Sequence, residues 1–283
     1  MLLRPSILLC TALLASAGAF LVGAAQAADQ QPAAMAAAYA QMVDRRLLVP
    51  AEVLPEYAAL AEAALRQAGA SLSAAQWLFL VDRNAHVQAG LLLWRSAGGD
   101  YLLAGASPVS TGRPGTFDHF QTPQGVYPHM PANPDFRAEG TRNQNGIRGY
   151  GAKGMRVFDF GWQQVPKGWG DGATIQMRLQ VHATDPDVLE QRLGSVQSKG
   201  CIRIPATLNR LLDHFGVLDA EYERELQGGR PFWVLDPQRE PVEDAGIYLV
   251  VVDSGRDAKP PWSVAGAPVR KEQATTSPRV SAR

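Results

Sequence analysis

Cysteine is nearly missing from this sequence, with only Cys10 and Cys201 in 283 residues. That scarcity excludes a disulfide-stapled scaffold and a four-cysteine zinc site. Charge bias is missing too, since 27 Lys and Arg balance 27 Asp and Glu. A balanced chain lacks the basic excess that marks a nucleic-acid partner or an anionic membrane surface, and its aromatics are not set among basic clusters. Histidine is sparse, and His86, His119, His129 and His214 show no metal-ligand spacing with Cys201. No internal repeat is visible. What is present is apolar, 46% of the residues, enough for a substantial core in one domain with flanking segments.

The N-terminus carries an address. Met1 to Arg4 make a short basic start, an apolar run follows from Ile7 to about Ala25, and Ala25-Gln26-Ala27 is a small-x-small cleavage pattern. Residues 1–27 therefore read as a signal peptide, which places the mature protein, from Ala28, in the periplasm or cell envelope with no stable membrane insertion. The run nearly reaches the ~20 residues of a spanning helix, so an uncleaved anchor is the alternative. Lipidation at Cys10 is disfavoured by the bulky Leu9 before it. Without the leader, Cys201 is the lone cysteine in an oxidising compartment. It is either a reactive thiol or a buried cysteine acting as a small apolar side chain.

Residues 28–50, rich in Ala and Gln, read as a loose lead-in. From Ala51 to Gln67 the residues Val53, Leu54, Tyr57, Leu60, Ala61, Ala64 and Leu65 recur at helical spacing, and Gly69 stops the helix. Together residues 28–75 form an N-terminal segment. Strand-like runs follow at 76–82, 87–95, 101–109, 126–128, 156–160, 175–183, 232–235 and 247–252, separated by Gly and Pro turns, the mark of a mainly β (α+β) domain over 76–254. Two short helices are expected, from Asp185-Pro186 to Gly194 and from Pro205 to Gly216. Residues 255–283 are rich in Pro, Ser, Lys and Arg and read as a disordered tail.

The chemistry concentrates in Val181-His182-Ala183-Thr184 and in Ser198-Lys199-Gly200-Cys201-Ile202-Arg203-Ile204. His182 ends an apolar strand, where a side chain emerges at a sheet rim. Cys201 lies between a glycine and a proline-started helix. A thiolate is the reactive form of cysteine, and Lys199, Arg203 and the helix start near Pro205 are candidates to favour it. Gly200 lets the chain bend so that the N–H groups of Gly200 and Cys201 converge on one oxyanion. His182 is the candidate base that takes the thiol proton and returns it to a leaving amine. Asp185 reads either as a helix N-cap or as an acid that orients His182. Residues 137–156 carry Arg137, Arg142, Arg148, Lys153 and Arg156 among glycines, either a solvated loop or a lid that presents cations to carboxylates.

This arrangement resembles the L,D-transpeptidase (YkuD-like) catalytic domain family. The shared features are a histidine, a gap of this length and Ser-x-Gly-Cys-apolar-Arg. Upstream, Val109-Ser110-Thr111-Gly112-Arg113-Pro114-Gly115 and Thr122-Pro123-Gln124-Gly125-Val126 resemble the family's VSTGxxG…TPxGxF region. The likeness covers about residues 76–254 and implies a YkuD-type β-sandwich. It also implies Cys201 as nucleophile, His182 as base, Gly200 and Cys201 as oxyanion donors, Ser198 as a residue that orients the histidine through a main-chain carbonyl, and Arg203 as support or substrate contact. Lys199 stands where the family usually has histidine, either as a substrate-binding cation that pairs with a stem carboxylate or pointing into solvent, and Ala183 stands where it usually has glycine. The implied activity is peptidoglycan L,D-transpeptidation in cell-wall biogenesis, on stem peptides, with carbapenems as covalent inhibitors and no metal or organic cofactor. An L,D-carboxypeptidase using water as acceptor, and a non-catalytic wall-binding module, are the rival readings.

Overall fold

The computed structural model describes residues 31–263. The expected signal peptide and residues 264–283 of the expected tail lie outside the described residues. Among the described residues there are two sheets and four helices, a mixed α/β architecture.

Strands β1 (Gln76–Asp82) and β2 (Ala89–Arg95) are buried at every position. Their near-continuous apolar sequences suit a sheet covered on both faces rather than one half in water. They lie within a five-stranded sheet with β3 (Tyr101–Pro108), β4 (Gly125–Pro128) and β9 (Tyr248–Val252), in the order β3-β2-β1-β9-β4. The two faces follow the period-two alternation of strands. Trp77, Phe79, Val81, Leu249 and Val251 point into the main core. Leu78, Leu80, Leu91, Leu93 and Val250 point the other way, against Tyr57, Ala61 and Leu65 of helix α2 (Leu54–Gln67).

The second sheet closes the main core. Its order is β5-β6-β7-β8, from β5 (Phe136–Arg137), β6 (Arg156–Pro166), β7 (Thr174–Ala183) and β8 (Ile202–Ile204). Phe158, Leu179, Val181, Ile202 and Ile204 face the first sheet. The intervening positions Arg178, Gln180 and His182 therefore face outward. β7 and β8 pair in parallel, Val181 opposite Ile202 and His182 opposite Arg203. Helix α3 (Ala206–His214) adds Leu208, Leu211 and Leu212 to the core, and α4 (Ala220–Gln227) packs through Tyr222.

Several expectations need correction. Residues 28–50 are not a loose lead-in throughout, because residues 31–42 form helix α1 and Met35, Tyr39 and the following Val43 are buried. Tyr39 lies against Gly105 of β3 and hydrogen-bonds Ser107 Oγ at 2.5 Å. The segment after Asp185-Pro186 is a turn with a single 3-10 turn at Glu190–Arg192, not an α-helix. Residues 232–235 are not a strand; they fold as a turn that lays Val234 and Leu235 on Tyr222. The expected tail is packed as far as residue 263, where Trp262 meets the Tyr57 ring edge-on at 6.0 Å. No helix among the described residues is long and apolar enough to cross a membrane.

A buried ion cluster ties the second sheet to the helices. Arg156 is fully buried and donates to Asp135 at 2.6 Å and to both oxygens of Asp219 at 2.6 and 2.9 Å. His129, equally buried, places Nε2 2.9 Å from Asp135 Oδ1 and Nδ1 3.0 Å from Leu218 O. Each guanidinium nitrogen and each oxygen of Asp135 and Asp219 has a partner, which is what makes such burial tolerable.

Candidate active site

The parallel β7–β8 register builds the site. Because His182 is opposite Arg203, Cys201 falls beside Gln180, and the side chains of Gln180, His182, Cys201 and Arg203 share the outward face. Parallel pairing requires a crossover, here residues 184–201, so nucleophile and base candidates sit at neighbouring strand ends although distant in sequence.

His182 is buried, and its Nδ1 donates to Ala183 O at 2.8 Å. That bond fixes the tautomer and leaves Nε2 as the acceptor. Burial pushes the imidazole pKa down to about 4; the Ala183 bond opposes the fall and the Arg203 charge adds to it. The Tyr150 ring meets it edge-on, centroids 4.8 Å apart.

The Cys201 thiol lies 3.6 Å from Arg178 O and 4.0 Å from Gln180 Oε1. Among the described residues it makes no hydrogen bond to His182. Burial pushes the thiol up to about 11, more than the Gln180 backbone bond and the Arg203 charge pull it down, and Asp159 adds to the rise. The expected thiolate-favouring surroundings are therefore outweighed in the resting site, which holds a neutral thiol beside a neutral imidazole.

Other candidates have different places from those expected. Ser198 makes no hydrogen bond to His182 among the described residues, and its carbonyl accepts from Arg113 N–H. Its Oγ donates to Cys201 O at 2.5 Å and accepts from Gly200 N–H at 3.0 Å, bracing the cysteine turn. The Gly200 N–H is thereby occupied, while the Cys201 N–H forms no hydrogen bond among the described residues and stays available to an oxyanion. Gly200 has φ +134°, and a Cβ there would strike Met177. At Gly112 a Cβ would strike the Phe120 carbonyl and the Gly200 Cα, so that glycine permits the upstream block to press against the cysteine turn. Lys199 is exposed and pairs with Asp118 at 2.6 Å instead of the thiol. Asp185 accepts from the N–H groups of Asp187 and Arg148 at 2.9 and 2.8 Å; it braces a turn, neither capping an α-helix nor bonding to His182 among the described residues.

The cationic loop is also largely neutralised. Arg137 pairs with Asp213, Arg142 with Asp187, Arg148 with Asp185 and Asp187, and Arg156 lies in the buried cluster. What the loop brings to the site is Tyr150.

Three residues beside the thiol, Arg178, Gln180 and Asp159, are not evident as site residues from the sequence. Asp159 of β6 accepts from Arg178 Nε at 2.7 Å and Gln180 Nε2 at 2.8 Å, holding both beside Cys201. The alternation of Arg178 and Gln180 in β7 with His182 was the available signal. Tyr150 had none beyond its place in a glycine-rich loop. The chain matches no model of a known protein family, and a search of curated proteins finds no match.

Proposed function

We propose that this protein is a cysteine acyltransferase of the L,D-transpeptidase type, with a YkuD-type fold, acting on peptidoglycan stem peptides in the cell envelope. The observation that carries the reading is the β7–β8 register, which sets Cys201 diagonally next to His182 on a single outward face, with the imidazole neutral and its Nε2 unoccupied.

Neutral partners favour proton transfer during attack over a preformed ion pair. The thiol turns from Arg178 O toward His182; Nε2 takes its proton as the sulfur bonds to the carbonyl carbon before a terminal D-alanine. The Cys201 N–H receives the developing oxyanion. When the tetrahedral species collapses, the C–N bond breaks, His182 returns the proton to the leaving amine, and a thioester remains. An acceptor amine then attacks the thioester and loses its proton to His182. The new amide is released, and the sulfur regains its proton.

The test is mass analysis of muropeptides after incubation with purified protein, alongside Cys201→Ser and a carbapenem. We expect loss of D-alanine and new cross-links with wild type, one covalent adduct on Cys201, and neither with Cys201→Ser. Substantial turnover by the serine variant, or an adduct elsewhere, would overturn the reading. D-alanine release without cross-links in the presence of an acceptor amine would make water the acceptor.

A further inference from the structure

Strand β6 changes face as it passes the site. Phe160 and Val165 both point into the main core, although strict alternation would send them to opposite faces. The register of β6 on β7 shifts between Asp159 and Trp162, and Gly161 there has φ +80°. A Cβ on Gly161 would strike the Asn133 amide. This bulge re-aims the strand, so that Trp162 takes the outward position opposite Arg178.

Beyond the bulge the outward face of the β6–β7 ribbon carries Trp162, Gln164, Thr174, Gln176 and Arg178. Val165 and Met177 on the reverse are buried, while Gln164, Thr174 and Gln176 are exposed. Trp162 is 59% exposed, a large apolar ring left in water. Arg178 Cζ lies over that ring, 5.7 Å from its centroid, and Arg178 Nε is held on Asp159 at 2.7 Å. The indole is thus seated before any ligand arrives.

The chemistry of this face selects its occupant. Arg178 is its one charged residue, and Asp159 already pairs with it. An aromatic ring among neutral amides suits neither an anionic membrane nor a nucleic acid. It suits an uncharged, polyhydroxylated ring. The indole covers an apolar C–H face, and the amides of Gln164 and Gln176 donate to and accept from hydroxyl or N-acetyl groups.

Position agrees with chemistry. β7 alternates without interruption, so the ribbon continues the face that carries Gln180 and His182. Cys201 lies beside Gln180, and Arg178 and Gln176 are about 7 and about 13 Å from Gln180 along the strand. His182 protonates the leaving amine, so the leaving residue is on its side of the thiol and the acyl part of the donor runs the other way. In a stem acylated through its third residue, the peptide extends at most about 11 Å before the sugar that bears it. That sugar falls on Trp162 and the two glutamines.

We propose that Trp162, with Gln164 and Gln176, forms a platform for an N-acetylated sugar ring of the glycan strand that bears the donor stem. The placement of the stem rests on the acyltransferase reading above. Trp162 binds the sugar and takes no part in bond making.

The test compares a disaccharide-bearing stem peptide with the same peptide lacking the sugar. Binding to full-length Cys201→Ala protein is measured by calorimetry, and thioester formation on wild type by mass spectrometry. The sugar-bearing donor should bind about tenfold tighter, and adding Trp162→Ala should bring it to the affinity of the bare peptide. Trp162→Phe should keep part of the difference, since a smaller ring still stacks. Equal affinity of the two donors, or a preference that survives Trp162→Ala, would overturn the platform. An equal loss for both donors would assign Trp162 to the peptide and overturn it as well. Equal affinities with thioester from both donors would leave the acyltransferase reading intact. No thioester from either donor would remove that reading, while a sugar preference lost in Trp162→Ala would still place a sugar on the ribbon.

Discussion

Two histidines are buried in this molecule, and their surroundings drive them in opposite directions. Burial alone lowers the pKa of both. At His129, Asp135 and Asp219 outweigh burial and raise it to about 9. At His182 there is no carboxylate partner among the described residues, only the Ala183 carbonyl, and burial takes the pKa down to about 4. The first is a charged strut within a satisfied ion cluster. The second is kept neutral with one nitrogen free, the state a base needs. Equal burial thus gives a charged or a neutral histidine according to whether an acid faces it.

The comparison breaks most visibly in activity. His182→Gln should cut donor turnover by about 10²–10⁴-fold, the usual contribution of a positioned base, with little change in the unfolding midpoint at neutral pH. A large loss of stability with retained turnover would reverse the roles assigned to the two histidines. Next comes Arg156→Met in the cluster, which leaves the buried carboxylates of Asp135 and Asp219 with His129 as their one remaining cation among the described residues. It should cost about 3–5 kcal/mol in urea unfolding, and an unchanged midpoint would show that the cluster carries little stability.

The pH dependence should then separate the histidines by sign. The raised pKa of His129 gives stability that is present below about 6.5 and lost as pH climbs through about 9. The depressed pKa of His182 does the reverse: the unfolded chain takes up the proton first, so stability falls as pH drops from about 6.5 to about 4. Urea melts across pH should therefore show His182→Gln flattening the acid limb and His129→Gln flattening the alkaline limb; the opposite assignment would refute the account. The smallest effect belongs to Lys199. Its pairing with Asp118 is exposed, so Lys199→Gln should change stability by less than about 1 kcal/mol and turnover little. A large fall in turnover would bring Lys199 back into the site.

The sequence made the first sheet legible because Trp77-Leu78-Phe79-Leu80-Val81 is apolar without interruption. Helix α1 was obscured by alanine, which adds little contrast to the i, i+4, i+8 spacing of Met35, Tyr39 and Val43. Helix α4, Ala220–Gln227, is polar apart from Ala220, Tyr222 and Leu226, so periodicity gave no signal. Phe232 to Leu235 looked like a strand because apolar side chains cover Tyr222 equally well from a turn. In the site, the positions of His182 and Cys201 followed from strand and turn signals. The bracing role of Ser198, the pairing of Lys199 with Asp118 and the placement of Tyr150 depend on contacts between distant segments, which local pattern does not encode.

The crossover from Thr184 to Cys201 has one further consequence. Its ends are pinned by the β7–β8 ladder, and its middle, which carries Arg192, lines a cavity of about 230 Å³ beside the site without setting the spacing of His182 and Cys201. Loop closure grows more costly only slowly with length. The middle of the crossover, ahead of Ser198 and Gly200, can thus change in length and side chains and so alter the lining of the neighbouring cavity while His182 and Cys201 keep their register.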